Sequence, residues 1–348
     1  MRHLLTALTL LALVTLAPAQ GTKTVPEPPL LTRWAKDVKP DAPWPEYPRP
    51  QMAREAWLNL NGTWQWAPAQ EGDAPPFGQT LARAIVVPFP IESVLSGVGE
   101  HHERIWYRRT FVLPTDGAWD RKRVLLHFGA VDWEARVFVN GREFPVHRGG
   151  YDSFSFDISQ ALKSSGEQEI IVGVWDPTDK GEQRRGKQVL KPEGIWYTPV
   201  TGIWQTVWVE PVPEFHVRRV RVEGRLGTPV RGSGTWEGST ITVTSTLSTA
   251  CPGCTWRVTL FEHDGKTQVF EGRSEERTAT FQPLDVMPWS PESPHLYDID
   301  VELLRNGGVV DKVRTYVGVR SVGMQKDDQG VNRLFLNGKP CFMMGPLD

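Results

Sequence analysis

Glu100-His101-His102-Glu103 places a pair of imidazoles between carboxylates, the side-chain types of a metal centre. Neighbouring residues on one loop rarely converge on a single ion without a distant partner. The spacing is also not the His-Glu-x-x-His of a zinc-binding helix, so no metal ligand and no cofactor is assigned. Glu275-Glu276 and Asp327-Asp328 are adjacent carboxylates. The former stands among Arg273, Ser274 and Arg277 and the latter runs into Gln329-Gly330, which are the surroundings of solvated turns. Arg184-Arg185-Gly186-Lys187 is basic but lacks the glycines of a phosphate loop. Cys251-Pro252-Gly253-Cys254 has the spacing of a redox pair, yet it sits between strand-like runs, and a local Cys251–Cys254 disulfide is expected. Cys341, inside an apolar run, is expected to be buried and inert. No nucleophile, base and orienting group stand in a recognisable order, and the catalytic assignment is none.

The elements that must position any site are almost all strands. From Trp57 onward, short runs rich in branched and aromatic residues alternate with Gly, Pro and Asp: 58–66, 85–87, 106–112, 124–128, 134–139, 170–175 and 205–210. Asn140-Gly141 between such runs predicts a hairpin, because its turn needs positive φ at both central positions. After Pro211-Val212-Pro213 a second block alternates more cleanly over 217–222, 241–247, 256–261, 269–270, 296–304 and 309–317, with turns at Asp264-Gly265 and Asn306-Gly307. That number of strands in about a hundred residues suits an immunoglobulin-like sandwich, without the Cys-Trp-Cys framework of antibody domains. Ahead of both blocks, residues 20–50 carry Pro26, Pro28, Pro29, Pro40, Pro43, Pro45, Pro48 and Pro50 and predict an extended arm held down by Trp34, Trp44 and Tyr47.

Composition bounds the partners. The chain is 39% hydrophobic and 23% charged with a net charge of −2, which excludes the concentrated basic field that nucleic acid or an anionic membrane surface requires. Its 15 tryptophans are read mainly as core, although a flat apolar ring also suits the face of a sugar. Residues 1–19, with Arg2, an apolar run from Leu4 to Leu16 and Ala17-Pro18-Ala19, have the layout of a secretory signal, so a secreted or periplasmic protein beginning near Gln20 is expected, with no membrane span. Asn61-Gly62-Thr63 fits a glycosylation sequon. At the far end, Leu334 to Met344 reads as apolar strands about a tight turn, with Cys341 to Met344 patterned as a strand covered on both faces. The natural polypeptide is expected to run on past Asp348.

One ordered set of segments carries a family resemblance. Trp57-Leu58-Asn59-Leu60-Asn61-Gly62-Thr63-Trp64, Trp106-Tyr107-Arg108-Arg109-Thr110-Phe111, Leu126-His127-Phe128-Gly129-Ala130-Val131-Asp132-Trp133, Val137-Phe138-Val139-Asn140-Gly141, His147-Arg148-Gly149-Gly150-Tyr151 and Thr201-Gly202-Ile203-Trp204-Gln205 follow one another as in glycoside hydrolase family 2, the family of β-galactosidase, β-glucuronidase and β-mannosidase. Gly318-Val319-Arg320-Ser321 and Leu336-Asn337-Gly338-Lys339-Pro340 resemble the family's passage into its catalytic barrel. The resemblance implies an all-β chain: a jelly-roll domain of sugar-binding type over 51–213, an immunoglobulin-like sandwich over 214–321, and over 322–348 a linker with the first strand of a (β/α)₈ barrel. The family's acid/base and nucleophile glutamates lie deeper in that barrel, so neither maps onto this sequence; retaining hydrolysis needs both, about 5–5.5 Å apart.

The resemblance also points to loops of the first domain that reach a sugar subsite at the barrel rim. Lys187-Gln188 through Glu193-Gly194-Ile195-Trp196-Tyr197 occupies the matching place, with Gln188 and Glu193 as polar contacts and Trp196 and Tyr197 as faces for a sugar ring. The β-galactosidase branch carries an Asp in this loop where Gly194 or Ile195 stands here. His147 and Tyr151 form a second candidate contact, beside a structural reading of Gly149-Gly150 as a turn. Asp132 and Asn140 match family positions, but turn formation suffices to explain them. The expected function is the front part of an exported glycosidase acting on β-glycosides, its carbohydrate partner shared with a catalytic barrel of the same polypeptide. The alternative is a stand-alone secreted carbohydrate-binding or adhesion module.

Overall fold

The computed structural model describes residues 31–120, 122–283 and 285–345. The expected signal, 1–19, lies outside them, as does the first part of the Pro-rich arm. The architecture is all β, and every pairing between its strands is antiparallel. In the first sandwich a four-stranded sheet runs in the order Leu58–Asn59, Val207–Val212, Arg123–Phe128, Phe154–Asp157. It faces a larger sheet ordered Arg83–Val87, Gly62–Pro68, Arg104–Phe111, Gln168–Trp175, Glu134–Val139, Arg142–Glu143.

Gln168–Trp175 explains why this sheet holds. It is central and buried on both faces: Ile170, Val172 and Val174 enter the inter-sheet core with Trp64, Tyr107 and Phe128, while Ile171 packs outside with Trp106 and Phe138. Gly173 is required on that outer face, because a Cβ there would lie 2.4 Å from Trp106 Cζ3. The predicted hairpin closes as expected, with Asn140 and Gly141 at φ 47° and 83° between the paired Val139 and Arg142.

The second sandwich pairs Val217–Arg225, Thr240–Leu247 and Thr278–Phe281 against Gln268–Ser274, Cys254–Glu262, Tyr297–Arg305 and Gly308–Val317. Period-two burial in Thr240–Leu247 sends Ile241 and Val243 inward to Trp256, Val258 and Tyr297, which is the alternation visible in the sequence. Cys251 and Cys254 are disulfide-bonded at the start of the strand Cys254–Glu262. Six of the 15 tryptophans, Trp64, Trp66, Trp106, Trp119, Trp208 and Trp256, are buried, fewer than the mainly core role expected of them.

Two further expectations need correction. Trp34 does not anchor the arm; it is 61% exposed, with Arg33 stacked on it, whereas Trp44 meets Phe89 and Tyr47 meets Trp57 edge-on. Cys341 to Met344 form no strand. Val322–Lys326, Asn332–Leu336 and Lys339–Pro340 make a small sheet, beyond which Phe342 and Met344 are 87% and 89% exposed and Cys341 is a half-buried free thiol.

The arm and both sandwiches meet at one buried carboxylate. Glu210 accepts from Tyr47 Oη at 2.5 Å, Arg49 Nη2 at 3.0 Å and Trp208 Nε1 at 2.7 Å, and Arg54 Nε lies 3.4 Å away. Arg54 continues to Asp311 of the second sandwich through Nη1 and Nη2 and donates to the Val217 carbonyl. Desolvation pushes the Glu210 carboxyl up, but His127, Arg49 and the Tyr47 and Trp208 donors more than offset it, and the group stays below the usual carboxylate range. Burial pushes His127 down to about 4, so at neutral pH the guanidiniums carry the attraction. Beside this clamp, Ala53 and Arg314 exchange both backbone hydrogen bonds. Asn61 ties the arm at its other end: Nδ2 donates to the Pro43 carbonyl and to Thr206 Oγ1, and Oδ1 accepts from Val207 N. Removing one member of a buried charge network strands the others, so Glu210→Ala should cost about 3–5 kcal/mol in urea-induced unfolding. A loss below about 1 kcal/mol, the value of a surface pair, would show that the clamp does not hold the parts together.

Candidate functional site

The segment from Asp176 to Thr201 joins the strands Gln168–Trp175 and Gly202–Ile203 of the first sandwich, with Trp204 just beyond it. Its base is pinned by side chains. Asp176 accepts from Thr178 N at 2.7 Å and Thr201 Oγ1 at 2.9 Å; Glu92 accepts from Thr201 N at 2.9 Å and pairs with His101 Nδ1 at 2.8 Å. Higher up, Asp179 Oδ2 takes Leu190 N and Arg185 Nη1 donates to the Asp179 carbonyl. A loop of this length without regular structure keeps its shape only when its polar groups are satisfied in this way.

Gln188 is the hub. It is buried, its Oε1 accepts from Val200 N at 2.7 Å, and its Nε2 donates to Tyr151 Oη at 3.1 Å and toward Asp132 Oδ2 at 3.4 Å. Backbone bonds join the two limbs alongside it, Tyr197 N to the Lys187 carbonyl and Val189 N to the Tyr197 carbonyl. Of the six candidates from the sequence, Gln188, Tyr151, Trp196 and Tyr197 are therefore assembled on one loop surface. Tyr151 is 50% exposed and meets Trp204 edge-on, while Trp204 Nε1 donates to the Gly150 carbonyl. Trp196 and Tyr197 are 40% and 55% exposed, with Arg185 and Lys187 over their respective rings.

Glu193 projects into solvent on the same loop, its carbonyl accepting from Trp196 N. His147 is set apart from the exposed face. Its ring stacks on Phe154 at 3.9 Å and its Nε2 faces the Gly149 carbonyl at 3.1 Å, which are packing duties.

Asp132 was readable only as a turn former, and the structure gives it more to do. It is 3% exposed beneath the loop, pairs in register with Gly202, and its Oδ1 sits 2.2 Å from where a Cβ on Gly150 would be. Gly150 is thus glycine because a carboxylate occupies its side-chain space. Desolvation, reinforced by Asp176 and Glu92 and opposed by the Gln188 hydrogen bond, pushes the Asp132 carboxyl up to about 7. Burial likewise raises Asp176. The two are 3% and 2% exposed. Asp132, Asp176, Glu92 and Thr201 were missed as a group because their positions are scattered in sequence and only the fold joins them.

The arrangement offers aromatic faces, an amide hub and cations at a solvent-exposed rim, with no exposed carboxyl pair among them. Among the described residues no group of three His, Cys, Asp or Glu side chains converges on a metal position. Glu100 to Glu103 are engaged separately: His101 turns to Glu92, His102 packs on Trp66 with its Nε2 3.7 Å from Glu100, and Glu103 takes Trp175 Nε1 and Lys180. Asp327 is consumed by its own turn and by Arg333.

Comparison with known proteins places these features in context. Residues 73–209 match the model described as Glycosyl hydrolases family 2, sugar binding domain, and residues 235–320 match that described as Glycosyl hydrolases family 2. A beta-galactosidase of Thermoanaerobacter pseudethanolicus is 24% identical over 84% of this chain and 38% of its own length. A beta-glucuronidase of Paenibacillus borealis is 24% identical over 86% of this chain and 50% of its own. Among solved structures, a Ruminococcus gnavus β-glucuronidase bound to C6-substituted uronic isofagomine superposes with TM-score 0.68 at 21% identity, covering 86% of this chain and 50% of that one. The chain spans half or less of the length of these relatives.

The raised Asp132 carboxyl makes stability depend on pH with a definite sign. A carboxyl raised from 3.8 to about 7 keeps in the folded state a proton that the unfolded chain has released, so stability falls as pH climbs from about 4 to about 7. Asp132→Asn should flatten that fall by up to about 1.4 kcal/mol per pH unit in denaturant titrations. An unchanged slope would mean that Asp132 is ionised throughout the window.

Proposed function

Because the chain belongs to glycosyl hydrolases family 2, we propose that it is the front part of an exported glycosidase acting on terminal β-linked sugars. Its sandwiches bind and orient while the bond-breaking carboxylates reside in a barrel of the same polypeptide. The observation that carries this reading is the order of the matches: a sugar-binding sandwich over 73–209 whose end bears the exposed Tyr151, Trp196 and Tyr197, followed by the family's next sandwich over 235–320. Retaining chemistry needs one carboxyl held protonated and one ionised on either side of an accessible anomeric carbon. Asp132 and Asp176 have raised affinities for protons but no access, so the sandwich supplies shape and contacts, not the reaction.

In this reading Trp196 and Tyr197 offer apolar faces to a sugar ring, and Gln188 fixes the loop that presents them. The domain layout follows the same logic, with 51–213 as the contact domain, 214–321 as a spacer and 322–348 as the connection to the barrel. Residues 1–19 direct export, which amino-terminal sequencing of the mature protein would test: a start near Gln20 is expected, and an intact Met1 on exported protein would refute it.

The purified 348-residue chain should release no nitrophenol from aryl β-galactosides or β-glucuronides, and turnover above background that survives repurification would end the proposal. Removing an aromatic platform from a sugar site costs on the order of 1–2 kcal/mol, so Trp196→Ala in the enzyme that includes the barrel should raise KM about tenfold with little change in thermal midpoint. An unaltered KM would assign Trp196 to packing.

A further inference from the structure

The second sandwich carries a cationic groove that the sugar-facing loop does not use. Its strand Val217–Arg225 pairs with Thr240–Leu247, and the register slips between Val217 and Arg219: Val217 faces Leu247 and Arg219 faces Thr246. In a regular strand consecutive side chains point to opposite faces. A bulge re-aims them, and here both Arg218 and Arg219 line the same cleft, together with Arg49, Thr246 and Leu247. Both are exposed, and neither makes an ion pair among the described residues, whereas Arg49 is already matched to Glu210.

Among the described residues no carboxylate lines this cleft. Surface arginines normally sit among acids, and this protein is net acidic, so two such unpaired arginines bordering one concavity are a local inversion of charge. Gln51 forms part of this cleft and of its neighbour, which continues along the strand to Arg225 and Arg320, the latter lying over Trp289 at 5.0 Å. Glu223 is the single acid lining that neighbour among the described residues, and it is engaged by Arg221 and Arg225. The paired clefts make an elongated track rather than a pocket for one small ion.

We infer that this track binds an anionic polysaccharide, the Arg218–Arg219 pair gripping an oxyanion substituent of the chain. Guanidiniums side by side present forked donors that match a uronate carboxylate or a sulfate ester bidentately. The choice of a glycan over other polyanions rests on the family reading above. The groove is separate from the Trp196 loop, so it would hold a long substrate or a cell-wall polymer away from the point of cleavage.

Affinity electrophoresis of the full chain tests this in gels containing polygalacturonate, dextran sulfate, neutral galactan or duplex DNA. Retardation is expected with polygalacturonate or dextran sulfate, the stronger of the two identifying the oxyanion, and it should weaken as salt rises. R218S/R219S should lose at least about tenfold in affinity, R218K/R219K should keep part of it, and R136S, in the first sandwich and paired with Glu143, should keep all of it. Thermal midpoints within about 2 °C of wild type would show that the variants remain folded. No retardation of wild type by either acidic glycan, equal retardation by DNA, or an unaffected R218S/R219S variant would overturn the proposal. Binding of a neutral β-glycoside at the loop, measured in the same variants, separates the fates of the two readings: it persists if only the groove is wrong.

Discussion

A single buried carboxylate governs how this molecule is put together. Glu210 lies at the end of the first sandwich, fully shielded from water, where it would be untenable without the donors around it. Those donors come from separate places: Tyr47 and Arg49 from the arm, Trp208 from its own strand, and Arg54 from the segment leading into that sandwich. Because Arg54 also grips Asp311, satisfying one charge recruits the second sandwich as well. The relative placement of the two β layers thus follows from charge neutralisation at a point, with apolar packing filling in around it. Such networks are poor sources of net stability but tolerate few alternative geometries. A module that must present a loop at a fixed angle to a neighbour has use for that property.

Orientation matters because the loop from Asp176 to Thr201 is built to hold one shape. Its aromatic rim would be mobile if its polar groups were left to water, yet Gln188, Asp176, Glu92 and Asp179 satisfy them from below. Binding then avoids much of the ordering cost that a free loop would incur. Desolvation raises the proton affinity of Asp132 and Asp176 beneath it, so the rigidity of the rim and the protonation of its foundation are linked.

Strand positions were legible in the sequence because the physics that sets them is local. Alternation placed Ile241 and Val243 inward, Asn140-Gly141 could only be a tight reversal, and the continuous burial of 170–174 follows from its unbroken apolar run. The aromatic loop residues were also readable, from resemblance more than from pattern. What escaped was everything that depends on tertiary meeting points. Asp132 looked like a turn residue because its partners, Gln188 and Gly150, lie on other segments. Trp34 looked like an anchor because an aromatic in a Pro-rich stretch often is one, and Cys341 looked like core because apolar patterning does not reveal whether anything packs against it. The clamp at Glu210 carried no sequence signal, since a lone Glu in a strand is ordinary until the fold surrounds it with arginines.

The way Asn61 is used has a bearing on where the protein can be made. Both polar atoms of its amide are committed inside the structure, and the nitrogen that a eukaryotic secretory pathway would load with an oligosaccharide is the one that holds Pro43 and Thr206. Attachment during translocation, before the arm has closed over this residue, would put a large hydrophilic branch where there is no room for one. A yeast or insect-cell host would then yield chains whose arm is prised off the sandwich, whereas a bacterial host, or a Thr63→Ala variant in the eukaryotic one, would allow closure.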